Sequence, residues 1–213
     1  AMKTEITALE DNHTWDVTTL PPGKKAIGCG WIYSNKYRAD GTVERPKARL
    51  VARGNRQKEG LDYKDTFAPV AKMNTVRFLL KLAAAKRWEI HQMNVHNAFL
   101  HGDLEEEIYM QLPPGIKTTD PSKVCRLRKS LYGLKQSPRC WFAKLSKALL
   151  SFGFTQSYED YSLISLVQGD VSLKNYLHNC FKMKDLGKLK YFLGLEIARG
   201  PEGIFFRKEN MPW

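Results

Sequence analysis

The stretch Glu89–Leu100, Glu-Ile-His-Gln-Met-Asn-Val-His-Asn-Ala-Phe-Leu, limits the fold more than any other part of the chain. Its first half reads as a strand. On the two-residue period of a pleated backbone, Ile90, Gln92, Asn94 and His96 face one way, and His91, Met93 and Val95 the other. The chain then passes through Asn97-Ala98-Phe99-Leu100 into the turn His101-Gly102-Asp103 and the acidic run Glu105-Glu106-Glu107. Asn94 falls where a strand presents a polar side chain at a sheet edge or cleft. A carboxylate there can hold a divalent cation, whereas a neutral carboxamide does so poorly.

The flanking sequence supplies the elements around that strand. Ala1 to Glu10 reads as a helix with Met2, Ile6 and Leu9 on one face, already in mid-helix at Ala1, so we expect a chain cut from a longer protein. Thr14 to Val17 reads as a strand stopped by Pro21-Pro22-Gly23. Gly30–Tyr37 and Val43–Val51 read as a hairpin about Asp40-Gly41. Alternation puts Arg45, Lys47 and Arg49 on one face, a ribbon suited to phosphate or to plain solvation. Gln57 to Phe67 reads as loop. Asn74-Thr75 is expected to cap a helix reaching Trp88, with Val76, Leu79, Leu80, Ala83 and Ala84 at helical spacing.

Ile108–Leu112 and Val124–Arg128 follow as strands. Pro138 opens a helix over Arg139–Phe152, with Trp141, Leu145 and Leu149 four apart and Gly153 at its C-cap. A third amphipathic helix is predicted over Leu173–Met183, and a hairpin over Lys190–Arg199 and Gly203–Arg207. This order predicts an α+β fold.

The chain carries 34 Lys and Arg against 22 Asp and Glu, a net charge of +12. On charge alone a polyanionic partner and a basic protein without one are equally good readings. No run of 18 apolar residues exists to cross a bilayer, and no apolar leader is visible, so an intracellular protein of undefined compartment is expected. Cys29, Cys125, Cys140 and Cys180 form no Cys-x-x-Cys pair, and their apolar neighbours predict buried thiols in a reducing compartment. His96 and His101 lack the spacing of metal ligands.

The segment Gln92–Leu104 resembles the first catalytic motif of the reverse transcriptases of copia-type LTR retrotransposons, and Lys129–Arg139 resembles their second. The likeness runs from about Ala1 to Phe206. It implies a polymerase palm-and-fingers fold, with fingers mainly over 14–90, palm mainly over 91–207, and no RNase H or integrase domain. It also implies nucleotide-binding positions. Lys47 or Arg49 meets the triphosphate, a choice the sequence leaves open. Asn97 and Ala98 lie beside the triphosphate. Phe99 takes the place of the aromatic that blocks a ribose 2′-hydroxyl, although alone it reads as a core phenylalanine. Gln136 takes the place of a residue bordering nucleotide and template. Phe192, Leu193, Gly194 and Leu195 resemble the primer grip and also read as a core hairpin.

Two departures touch catalysis. In the family, Mg²⁺ is held by an aspartate of the first motif and by the pair of a Tyr-x-Asp-Asp hairpin. Asn94 stands in the first place, and no Asp-Asp occurs anywhere in the chain. Between Leu163 and Lys174 there is only Ile164 to Leu173, too short for the hairpin, so the palm is expected to be incomplete. Asp170 follows a glycine and reads as a turn residue. The expectation is therefore no intact catalytic or metal site, no cofactor (Mg²⁺ belongs to active relatives), no membrane partner, and weak binding of an RNA or DNA primer-template. The alternative is a nucleic-acid-binding module without chemistry. The run Tyr161–Val167 is expected to pair with the central strand in place of the missing hairpin.

Overall fold

The computed structural model describes residues 1–38, 40–116, 118, 120–166, 173–192, 195–200 and 203–208. In chain order the elements begin with α1 (Met2–Asp11), β1 (Trp15–Thr19), β2 (Ala26–Ile27), β3 (Cys29–Tyr37) and β4 (Val43–Ala52). Next come α2 (Met73–Ala85), β5 (His91–Val95), β6 (Tyr109–Gln111), β7 (Lys123–Leu127) and α3 (Ser137–Ser151). The last are β8 (Thr155–Gln156), β9 (Ile164–Ser165), α4 (Leu173–Phe181), β10 (Met183–Lys188), β11 (Tyr191–Phe192), β12 (Leu195–Gly200) and β13 (Gly203–Lys208). This is the mixed helix-and-strand composition that the sequence order predicts. No helix of the described residues is long and apolar enough to cross a membrane.

The chain divides into two compact units, residues 1–68 with 97–147, and residues 69–96 with 148–213. Residues 97–147 pack in the unit that holds the basic hairpin.

The first unit holds a sheet in the order β1-β7-β6-β2, antiparallel except for β2 beside β6. Its core joins Leu9 of α1 to Trp15, Leu50, Met110, Cys125 and Leu131, all buried. Each such side chain removes enough apolar surface to stabilise the unit by about 1.5–3 kcal/mol. Strands β3 and β4 form a separate antiparallel ribbon, closing at Arg38 through a backbone bond from its N–H to the Thr42 carbonyl. Asp40 braces that turn by accepting from the Thr42 N–H and hydroxyl.

The second unit holds the pair β5–β10, the pair β8–β9, the ribbon β11-β12-β13 and the helices α2 and α4. Leu80, Ala83, Leu177, Phe181, Met183 and Ile197 are its buried apolar side chains.

Three expectations need correction here. Ile164–Ser165 pairs with Thr155–Gln156, not with the central strand. The ladder beside β5 is filled by Met183–Lys188, so Asn94 has a strand partner without the expected repair. Asn74-Thr75 does not cap α2, whose N-cap is Lys72 without a side-chain bond; the Thr75 hydroxyl instead donates to Asp160 at 2.6 Å. Cys180 is exposed, whereas Cys29, Cys125 and Cys140 are buried as expected. Burial pushes the Cys125 thiol up to about 12 and the Cys29 thiol up to about 11, so both stay protonated and inert at neutral pH.

Candidate functional site

The hairpin register decides which cations share a face. Arg45 lies opposite Lys36, Lys47 opposite Ser34, and Arg49 opposite Ile32. Arg45 is exposed near the tip, and Lys47 and Arg49 are half-buried nearer the base. The Arg49 guanidinium sits 5.0 Å above the Tyr132 ring. Tyr132 meets Phe99 edge to face, with ring centroids 5.2 Å apart. A cation and two aromatic rings therefore stand in a row, each contact favoured by ring quadrupoles. Arg49 Nε is buried with no hydrogen-bond partner among the described residues.

Electrostatics at this face carry an excess of positive charge. Burial lowers the Lys47 pKa, and the neighbouring Arg49 adds to the effect. Half-buried Glu5 of α1 feels the same pair: burial raises its pKa, and Arg49 and Lys47 oppose the rise. Burial likewise raises the Tyr132 phenol, against the pull of Arg49.

Phe99 is positioned by a single 3-10 turn, Ala98–His101, entered through Asn97 in the left-handed region at φ 51°. Asparagine tolerates that conformation better than most residues. The Phe99 carbonyl accepts the Ser130 hydroxyl, which ties the turn to the second motif. Asn97, Ala98 and Phe99 are all half-buried.

Gln136 belongs to a buried clamp. It is 0% exposed. Its Oε1 accepts from Gln57 at 3.1 Å and its Nε2 donates to the Asp62 carbonyl at 3.1 Å. Gln57 in turn accepts the Lys135 N–H at 2.9 Å. Both ends of the Gln136 carboxamide are thus spent on holding the loop after β4, not turned toward a ligand. Gly133 closes the same clamp: a Cβ there would stand 2.1 Å from the Ala52 carbonyl oxygen.

Asn94 lies in the other unit, exposed on β5, directly opposite Lys184 of β10. Asp185 is the adjacent carboxylate, but it stands opposite Met93 and hence on the other face of the ladder. Both of its oxygens are engaged, one by Lys174 at 2.7 Å and one by the Gly187 N–H at 2.8 Å. Among the described residues no three His, Cys, Asp or Glu side chains are grouped to hold an ion. A carboxamide facing an ammonium does not fit the oxygen-rich, anionic shell that Mg²⁺ requires. In the primer-grip-like segment, Phe192 pairs with Leu195 between β11 and β12. Leu193, Gly194 and the side chain of Leu195 lie outside the described residues.

The structure thus joins Arg49 to Phe99 and sets Lys47 in their field, while Gln136 sits in a clamp of its own. Two residues of this arrangement escaped the sequence reading. Tyr132 lies inside the second motif, and its aromatic ring among basic residues was the available signal. Lys184 gave none, because Met183 to Lys188 has little strand character.

Comparison with known proteins identifies the family. Residues 12–173 match the reverse transcriptase (RNA-dependent DNA polymerase) family. The chain is 44% identical over 228 aligned positions, covering 96% of it, to the retrovirus-related Pol polyprotein from transposon RE1 of Arabidopsis thaliana. It is 43% identical over 96% of its length to the Pol polyprotein from transposon RE2 of the same plant, and 39% identical over 93% to that from transposon TNT 1-94 of Nicotiana tabacum. It spans 16% of the length of the RE1 and RE2 proteins and 17% of the tobacco one. The RE1 alignment has 228 positions against 213 residues here, so that relative holds interior residues without a counterpart in this chain. The chain belongs to the reverse transcriptase family, in the branch of copia-type retrotransposon Pol polyproteins.

Proposed function

We propose that this chain is a reverse transcriptase domain that grips nucleic acid and does not polymerise. The single observation carrying the reading is Asn94, a neutral side chain facing Lys184 at the position of the family's metal-binding aspartate. The absence of Asp-Asp from the sequence and the extra interior residues of the RE1 relative support a lost Tyr-x-Asp-Asp hairpin. Stabilising the transition-state charge through metal is worth several kcal/mol, and each ~1.4 kcal/mol is tenfold in rate. No step of nucleotidyl transfer is available to the groups around Asn94.

In the same reading, the fingers lie mainly over 14–90 and carry the basic hairpin, and the palm lies mainly over 91–207 and carries Asn94 and the primer-grip-like strands. Arg49, Tyr132 and Phe99 form the retained nucleotide-facing row. The free state of all four cysteines supports an intracellular, reducing compartment.

Fluorescence anisotropy on a labelled primer-template, at matched ionic strength, tests the gripping surface. Binding is expected to weaken steeply with salt, to fall severalfold in Lys47→Gln/Arg49→Gln, and to be unchanged when EDTA replaces Mg²⁺. Affinity that is flat with salt, or that needs Mg²⁺, contradicts the reading.

A further inference from the structure

We propose that Ser130 is the positioning residue for Phe99: its buried hydroxyl fixes the carbonyl behind the ring and so sets how closely the row of Arg49, Tyr132 and Phe99 approaches a bound sugar. On the nucleotide-facing reading of that row, on which this proposal rests, Ser130 touches no ligand and acts only through Phe99.

Ser130 is 0% exposed, and its hydroxyl donates to the Phe99 carbonyl. A hydroxyl taken out of water is held by its hydrogen bond, because leaving it unpaired is costly. The segment that carries Ser130 runs antiparallel to the chain just after Phe99. The Ser130 N–H donates to the Gly102 carbonyl at 2.8 Å and the Leu104 N–H to the Arg128 carbonyl at 3.1 Å. Asp103 pairs with Lys129 between them. The two segments come this close only because Gly102 has no side chain. A Cβ there would stand 2.8 Å from Ser130 Oγ and 2.8 Å from Cys140 Cβ.

The same segment also holds the ring. Two residues beyond Ser130, Tyr132 meets Phe99 edge to face with centroids 5.2 Å apart, and Arg49 lies 5.0 Å above Tyr132. Phe99 is therefore fixed at its carbonyl by Ser130 and at its ring by Tyr132. The Gly102 N–H also reaches the Phe99 carbonyl, at 3.1 Å, from within the turn. Ser130 ties that carbonyl to a different part of the chain. Asn12, at the end of α1, holds the next carbonyl: its Nδ2 donates to Leu100 at 2.9 Å. Leu100 is itself buried. With Leu100 anchored in this way, loss of the Ser130 hydroxyl releases Phe99 without releasing the whole turn. Contact energies change steeply with separation, so a ring displaced by less than about 1 Å alters its fit against a sugar hydroxyl.

The test uses the whole chain with isotope-labelled tyrosine and phenylalanine rings, and two probes, dATP and ATP. Ser130→Ala removes the donor. Ser130→Cys keeps a similar shape with a weaker donor, and stands in should the alanine variant fail to fold. Tyr176→Phe is the control: it removes a hydroxyl that donates to the Ala148 carbonyl at 3.0 Å, the same kind of bond in the other unit. Because an edge-to-face pair shields the facing ring protons, the Tyr132 NMR signals report the place of Phe99 with no ligand present. In Ser130→Ala they are expected to move toward their values in Phe99→Leu, in Ser130→Cys to move part of the way, and in Tyr176→Phe to stay. The preference for dATP over ATP is expected to fall severalfold in Ser130→Ala and to persist in Tyr176→Phe. Tyr132 signals that stay in place in Ser130→Ala, or that move as far in Tyr176→Phe, overturn the positioning role. A wild-type chain that binds both nucleotides alike overturns the nucleotide-facing reading and the consequence for the sugar with it, while the ligand-free Tyr132 signals still decide whether Ser130 positions Phe99.

Discussion

Single side chains carry the proposed reading of this domain. Asn94→Asp puts on β5 the carboxylate that the proposed reading finds missing, but the new anion would face the Lys184 ammonium across the ladder. Cross-strand partners of opposite charge attract at this spacing, so the new carboxylate is satisfied by lysine. We expect no gain in primer extension from Asn94→Asp, alone or with Lys184→Ala; template-dependent product from either variant contradicts this. Asp160 shows the opposite case, a carboxylate that is fully used. Bonds from the Ser162 hydroxyl, the Thr75 hydroxyl and the Ser162 N–H lower it from 3.8 to about 2. A depressed carboxylate contributes stability above its ordinary pKa and loses it as pH falls toward the folded value. The gap in melting temperature between wild type and Asp160→Ala should therefore be full at neutral pH and shrink between pH 4 and 2 (roughly the interval between those two values). A gap that stays constant across that interval would show that Asp160 acts otherwise. The sequence disclosed Asn94 because its neighbours carry a motif. It hid Asp160, whose partner Thr75 reads as a helix cap until tertiary structure brings the two together.

At the scale of elements, the segment Lys129–Arg139 is a structural knot. Leu131 and Leu134 are buried, the Tyr132 carbonyl accepts the Ala52 N–H at 2.8 Å, and Gly133 sits against β4 at φ +91°. Gly133→Ala must displace backbone as well as adopt an unfavourable φ, and overpacking adds about 1–3 kcal/mol to that strain. Gly60→Ala has a similar φ of +78° but open space around it, so it should cost only about 1–2 kcal/mol. Urea denaturation of the two variants compares them, and equal losses would deny the clamp. The hairpin, α1 and α3 were legible because alternation, helical spacing and the Asp-Gly and Gly153 signals agree with the packing that forms. Met183–Lys188 was not legible. The predicted helix ended at Met183 and no element was assigned to 184–188, yet the chain turns at Lys182, with φ 49°, into a strand of mostly exposed polar residues. Such a strand exists only because β5 offers it a ladder, which local propensity does not record.

For the whole molecule, charge and chemistry point in different directions. The net charge of +12 and the cations of the hairpin suit the proposed nucleic-acid partner, and salt should weaken that binding steeply. Among the described residues no three His, Cys, Asp or Glu side chains are grouped to hold a metal ion. The central claim is that binding survives where chemistry does not, and primer extension tests it most directly. The whole chain, at concentrations that saturate a labelled primer on an RNA template, is incubated with all four deoxynucleotides and either Mg²⁺ or Mn²⁺. The account predicts a bound but unextended primer under both metals, indistinguishable from the EDTA control. Template-dependent addition of even one nucleotide above that control would contradict it.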